Sequence, residues 1–460
     1  MEEKTTNKPA INFYGGVGTA TGANIGLAFG GRNILVDCGL LQGLKPDEEK
    51  NFENFKYDPK LQDFLLITHA HMDHIGKIPK LVRDGFQGKI FSTNATKEIA
   101  RPMLEDAFRV MQSKNPDHLL YQEKDIEESF KLWQGFNYEE EINLSENCKL
   151  KMTDAGHILG SAILNLDCQG DKEKTKFAFT GDLGNSPSPL LPDTKFVKDA
   201  RYIIMESVYG DRNHEEKKER REKLKQYILE GIKRDGTIII PAFSIERTQV
   251  LLYELNNLVE NKEIPNIPIY LDSPLAEKVT EIYKNHTELF KEEAREQIKS
   301  GDDIFSFPNL EIVKTHNESV EIEMNQNPKI ILAGSGMSSG GRVVNHEIAA
   351  LGGKENTIIL VGYQSIGTLG RQLQEGLKEV MIGLKKVKVN AKIENITGYS
   401  SHADSDHLLE FVAEAGESGK LKKVFVIMGE PKSSLFLVQK IRDNLGIEAI
   451  YPEEGKSYEL

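Results

Sequence analysis

The stretch Asp63–His74, DFLLITHAHMDH, couples an apolar run to four residues that cannot be left unsatisfied. The run Leu65–Ile67 reads as a buried strand bounded by turn residues. Behind it stand His69, His71, Asp73 and His74, at i, i+2, i+4 and i+5. That spacing lines no single helical face and suits a loop turning around a point. Three of the chain's 11 histidines fall within these six positions. A buried strand opening into such a loop restricts the chain to folds whose chemistry collects at strand ends. Imidazole and carboxylate without thiol suit zinc, or another divalent transition metal, better than calcium.

The rest of the chain follows an α/β rhythm with one change of style. Up to Met205, short β-rich runs recur: NILVDCG, KIFSTN, KLKMTDAG, SAILNLDC, KFAFTGD and RYIIMES. One long helical stretch, about Lys97 to Phe136, interrupts them. This part reads as two stacked mixed sheets with helices outside. After Tyr209 strands alternate with helices (TIIIPAF, IPIYLDS, KIILAGSG, TIILVGYQ), the pattern of a parallel sheet. From Lys385 short strands and a last helix return. The expected organisation is an αββα sandwich formed by 1–208 and 385–460, with a parallel α/β domain, 209–384, inserted.

Hydrophobic residues at 39% and charged residues at 28% of the 460 positions mark a globular chain. No apolar run approaches the length of a membrane helix, and MEEKTTNKPAINF has no apolar h-region, so a cytoplasmic protein with no membrane partner is expected. The odd, scattered cysteines (Cys38, Cys148, Cys168) predict neither a disulfide framework nor a CxxC metal site. A net charge of −13 argues against a nucleic-acid-coated surface but leaves room for a local basic groove. The run KKERREKLK reads as a solvated helix face rather than an RNA tract.

Further strand ends carry matching chemistry. Asp37 follows NILV, His157 lies in TDAGHILG, and Asp182 ends KFAFTGD. Each alone is weak; with the histidine loop they are enough for two metals. The H-x-H-x-D-H loop with a later His and Asp resembles the metallo-β-lactamase superfamily. GGVGTATGANIGLAFGGRNILVDCG, MESVYGDR, IPAFSIERTQVLLYEL, LDSPLA, GSGMSSGGRVVNHE, GYQSIGTLGRQL and YSSHADSDHL resemble its RNA-processing β-CASP branch, in that branch's order and over almost the whole chain. The similarity is to bacterial and archaeal relatives of the endonuclease subunit of the cleavage and polyadenylation specificity factor.

The resemblance implies a metal-dependent ribonuclease acting on single-stranded RNA by metal-held hydroxide in the cleft between its two domains. It makes His69, His71 and His157 ligands of a first zinc, Asp73 and His74 ligands of a second, and Asp182 the bridge, with manganese as the other candidate metal. Asp37 would orient a histidine. His402 would be the general acid and Glu206 its partner, beside Asp73 at the attacking water. Ser335, Arg247, Arg342 and Arg371 are candidates for substrate phosphates, with ordinary salt bridges as the alternative for the arginines. A homodimer is compatible with the resemblance. One position departs from it: where a histidine ligand is expected before Gly-Glu, the chain has Met428, and a thioether is a poor zinc ligand. One tight metal and a weak or absent second are therefore expected, with His407 as a possible substitute ligand. Two other readings stand beside the nuclease: a metallo-hydrolase of small esters or thioesters, and a non-catalytic scaffold with a degraded second metal site.

Overall fold

The computed structural model describes residues 9–43, 45–169, 174–215, 217–325 and 328–460. The chain divides into two compact units, Met1–Asn213 with His402–Leu460, and His214–Ser401.

The first unit contains two seven-stranded sheets. In one, Ser457–Glu459, Ala10–Gly15, Asn24–Phe29 and Arg32–Val36 pair antiparallel. Arg32–Val36, Phe64–Leu66, Lys89–Thr93 and Trp133–Phe136 then run parallel. In the other, Glu141–Ser145, Cys148–Asp154, Ala162–Gln169 and Lys174–Phe179 form an antiparallel meander. Lys174–Phe179, Tyr202–Met205, Lys423–Val426 and Ala449–Ile450 continue it in parallel. Strand alternation points Ile11, Phe13, Leu27 and Ile34 from the first sheet, and Leu150, Leu164, Phe177 and Ile204 from the second, into one core. Helices Ser405–Gly416 and Pro431–Leu445 bury Leu408, Phe411, Leu437 and Ile441 on the outer face of the second sheet.

The expected helix over Lys97–Phe136 is two helices, Asn94–Lys114 and Glu123–Leu132, followed by a strand. Trp133 ends the second helix because its ring is buried and its indole N–H donates to Ser92. Cys148 and Cys168 form a disulfide, contrary to the expectation. They are 20 positions apart but lie directly opposite each other in the antiparallel register, which no spacing rule reveals.

The second unit is built on an all-parallel sheet in the order Leu310–Ile312, Ile269–Asp272, Lys329–Ala333, Thr237–Pro241, Thr357–Leu360, Lys392–Asn395. This moves the second boundary from the expected Lys385 to Ser401: Lys392–Asn395 pairs with Thr357–Leu360 as the edge strand of this sheet. In the charged helix Lys217–Lys233, Arg221 and Lys225 pair with Glu263, and Lys223 with Glu215 and Glu219. No helix among the described residues is long and apolar enough to cross a membrane.

Candidate metal centre and active site

In the first unit, parallel strands from both sheets end at one place. Asp37 follows Arg32–Val36, and Thr68 and His69 follow Phe64–Leu66. Asp182 follows Lys174–Phe179, Glu206 follows Tyr202–Met205, and Met428 follows Lys423–Val426. His157 arrives on the turn between two antiparallel strands. Ser161 Oγ holds that turn by accepting from the His157 and Ile158 amides.

The ligand-capable atoms of His69, His71, His157 and Asp182 lie within 4.8 Å of one another, and so do those of Asp73, His74 and Asp182. His71 Nδ1 is 3.0 Å from His69 Nε2 and 3.2 Å from His157 Nε2. Asp182 Oδ2 is 3.4 Å from His69 Nε2 and 3.5 Å from His157 Nε2. Four ligands at zinc bond lengths on a tetrahedron stand about 3.3–3.4 Å apart, so these contacts match the edges of such a shell. Burial and mutual repulsion hold all three imidazoles below the usual histidine range, so they present lone pairs rather than protons.

The second group lies on the other oxygen of Asp182. His74 Nε2 is 3.4 Å from Asp182 Oδ1 and 3.9 Å from Asp73 Oδ2. His74 Nε2 and Asp182 Oδ1 are buried and make no hydrogen bond among the described residues. Burial disfavours charge on His74, but Asp182, Asp37 and Asp73 outweigh it and push its pKa well up. Three carboxylates around one imidazole create a field that calls for a cation. The donor sets, the edge lengths and the two orphaned atoms together fit divalent metal.

The supporting contacts fix which nitrogen faces the centre. Asp37 accepts from His74 Nδ1 (2.7 Å), the Thr68 amide (2.8 Å) and the Thr68 hydroxyl (2.8 Å). With its proton on Asp37, the Thr68 hydroxyl accepts from His69 Nδ1 at 3.0 Å, which leaves His69 Nε2 bare. Sequence reasoning missed Thr68, and nothing in ITHAH distinguishes it from a strand-end threonine. It also missed Asp154, whose carboxylate accepts from the Gly156 amide and so shapes the His157 turn.

Burial raises Asp154 to about 7. Its folded pKa thus exceeds the unfolded value of about 3.9, and the stability linked to its proton is lost as pH rises from about 4 through about 7. Asp154→Asn should therefore melt near the wild type at about pH 4 and above it at about pH 8. Equal melting temperatures at both pH values would show that Asp154 ionises freely.

His402 begins the last segment of the unit. Bridge pairing with Gly184 and the Ala403 amide on the Leu183 carbonyl set it beside Asp182. Its Nδ1 is 3.2 Å from Glu206 Oε2 and 3.8 Å from Asp182 Oδ2. Burial opposes charge on the ring, but Glu206 and Asp182 prevail and raise it to about 9. Glu206 is itself buried, with Oε1 accepting from the Leu183 amide at 2.6 Å. His407 does not join these groups: it faces the capping Asp404, with Nδ1 2.7 Å from Oδ1. Met428 is buried at φ +47° and is one of the residues around a narrow cavity that His74, Asp37, Thr68 and Glu206 also line; its Sδ lies against Gly16.

The phosphate candidates of the second unit are engaged within it. Arg342 is held by Asp272 (2.5 Å) and by the Val313 and Lys314 carbonyls. Arg371 pairs with Glu375, its neighbour one helical turn on, at 2.7 Å. Arg247 is buried and donates to Ser401 Oγ, and Ser335 Oγ lies 3.3 Å from Ser339 Oγ.

Three family profiles match the chain: a metallo-beta-lactamase superfamily domain over 27–178, a Beta-Casp domain over 248–373, and a Zn-dependent metallo-hydrolase RNA specificity domain over 386–452. Ribonuclease TTHA0252 of Thermus thermophilus is 34% identical over 92% of this chain and 94% of its own length. An RNase J-like protein of Methanocaldococcus jannaschii is 32% identical over 92% of this chain and 93% of its own. Transcription termination factor FttA of Pyrococcus horikoshii is 34% identical over 91% of this chain, which spans 66% of that longer protein. A crystal structure of an Enterococcus faecalis protein of unknown function shares the fold, with a TM-score of 0.57 at 14% identity over 98% of this chain and 100% of its own.

Proposed function

Because the chain belongs to the β-CASP branch of the metallo-β-lactamase superfamily, we infer that its strand-end centre hydrolyses phosphodiester bonds of single-stranded RNA with zinc as the metal. The observation that carries this reading is the gathering of three buried imidazoles and Asp182 within ligand distance of one another, with His402 beside them on Glu206.

His69, His71, His157 and Asp182 would hold one metal, and Asp73, His74 and Asp182 the other. Metal there supplies the Lewis acidity that activates water and stabilises charge on the phosphoryl oxygens. The chain's own residues do the rest. Asp73, whose carboxyl burial pushes up, accepts a hydrogen bond from the attacking water and aims it. Asp37 and Thr68 hold His74 and His69 in one tautomer each. Glu206 binds His402 Nδ1, so His402 Nε2 delivers the proton to the departing 3′-oxygen and a 5′-phosphate product remains. Cleavage of a labelled single-stranded RNA, with metal counted per chain, tests the reading. A chain that binds metal and hydrolyses thioesters but no RNA would support the small-ester alternative, and one that does neither the scaffold.

Met428 gives this reading a second test. The group around His74 offers three ligands where the other offers four, so one tight metal per chain is the expected content. Met428→His places an imidazole at a position around the cavity that His74 also lines. It should raise metal content toward two per chain and increase cleavage several-fold. Two tight metals in the unaltered chain would show that the position is not a lost ligand.

A further inference from the structure

The second unit carries a basic projection that the centre does not use. Lys378–Lys388 holds four lysines and one glutamate, a net +3, so the rest of this −13 chain carries −16. Glu379–Ile382 and Lys385–Lys388 form an antiparallel hairpin, the whole of a separate two-stranded sheet with both edges open. Val380, Ile382 and Val387 pack inward with Val389. The opposite face presents Glu379, Met381, Lys386 and Lys388, and Leu384 and Lys385 form the tip.

Among the described residues, Lys386 pairs with Glu379 at 2.7 Å, whereas Lys378, Lys385 and Lys388 have no carboxylate within ion-pair distance. Leu384 is 99% exposed and Met381 56%. Lysines on open strand edges discourage edge-to-edge pairing. That role explains the lysines but not two apolar side chains standing in solvent among them. Unneutralised cations beside exposed apolar groups suit a ligand that alternates anionic backbone with flat apolar faces, as a single-stranded polynucleotide does.

We propose that the Glu379–Lys388 hairpin is an accessory binding surface for single-stranded RNA, with Lys385, Lys386 and Lys388 on phosphates and Met381 and Leu384 against bases. The proposal rests on the ribonuclease reading and adds to it a second contact with the RNA chain, made by residues other than those of the metal centre. The acidity of the remaining surface sharpens it, because a polyanion repelled elsewhere is held where the field reverses.

The test compares the holoenzyme with its K385Q/K386Q/K388Q variant on a long single-stranded RNA and on a short oligonucleotide, over a range of salt. All three lysines are exposed, and equal melting temperatures check the fold. For long RNA, KM should rise about tenfold at low salt, and the slope of log KM against log salt should fall by about 2, since each phosphate contact on a single strand contributes about 0.7. The kcat and the short-oligonucleotide kinetics should not change. Leu384→Ser should raise the long-RNA KM a few-fold without altering the slope. Unchanged slope and KM in a variant that still cleaves RNA would overturn the hairpin alone. A variant that instead shifts oligomeric state in sedimentation would assign the surface to a second copy of the chain and overturn the RNA assignment. If the wild type cleaves no RNA at all, the ribonuclease reading fails first and this one with it.

Discussion

Replacing His402 with alanine should lower RNA cleavage about 10²–10⁴-fold while leaving metal content unchanged, the range expected when a general acid is removed. His402 stands beside the two metal groups: its Nδ1 is 3.2 Å from Glu206 Oε2 and 3.8 Å from Asp182 Oδ2, and its ring centroid is 4.7 Å from that of His157. Glu206 and Asp182 keep a proton on the ring at neutral pH, raising it to about 9. The alanine variant leaves the Glu206 carboxylate buried without this partner, so lost stability would confound a simple loss of activity. His402→Gln separates the two. Its amide can donate to Glu206 and preserve the local fold, yet it has no proton to give a departing alkoxide. Both variants should be equally inactive, with glutamine melting nearer the wild type. Wild-type turnover in the glutamine variant would take His402 out of the reaction. Activity restored in the alanine variant by an RNA with a better leaving group than a 3′-alkoxide would identify protonation as the missing step.

Asp182→Asn should abolish cleavage and reduce metal to well under one per chain. Asp182 is shared: Oδ2 lies against His69 and His157, Oδ1 against His74. The imidazoles of His74 and His69 outweigh burial and hold the acid well below its usual range, so it is an anion at any working pH. An amide keeps the shape but removes the charge that a dication needs from this side. The consequence reaches stability. Metal at a thousandfold excess over its Kd stabilises the folded chain by about 4 kcal/mol, so chelation should lower the wild-type melting temperature by several degrees. The asparagine variant should show little of that shift. Wild-type metal content in it would mean that the bridge lies elsewhere, with Glu206 the next carboxylate to test.

The chain's local chemistry was legible from its residues alone. His69, His71, Asp73 and His74 lie within one loop after one apolar strand, Asp37 follows a strand directly and Asp182 follows one by three residues; Glu206 comes only from the resemblance. Patterns of this kind need only the period of a strand and the chemistry of a side chain. The change of rhythm after Tyr209 likewise announced a parallel sheet. What the residues alone left open depends on which strands become neighbours. Glu206 and His402 meet across 196 positions because the strand before Glu206 pairs with Lys423–Val426, and His402 pairs back onto Gly184. Cys148 faces Cys168 through a register of the meander. Lys392–Asn395 belongs to the second unit because it adds to the edge of Thr357–Leu360. Arg342 is held by Asp272, a carboxylate 70 positions away that the packing of its own unit brings within reach. In each case the deciding contact joins segments whose separation carries no period. The tertiary structure settles it by bringing parallel strand ends together, and the sequence by itself determined only what each strand end would carry there.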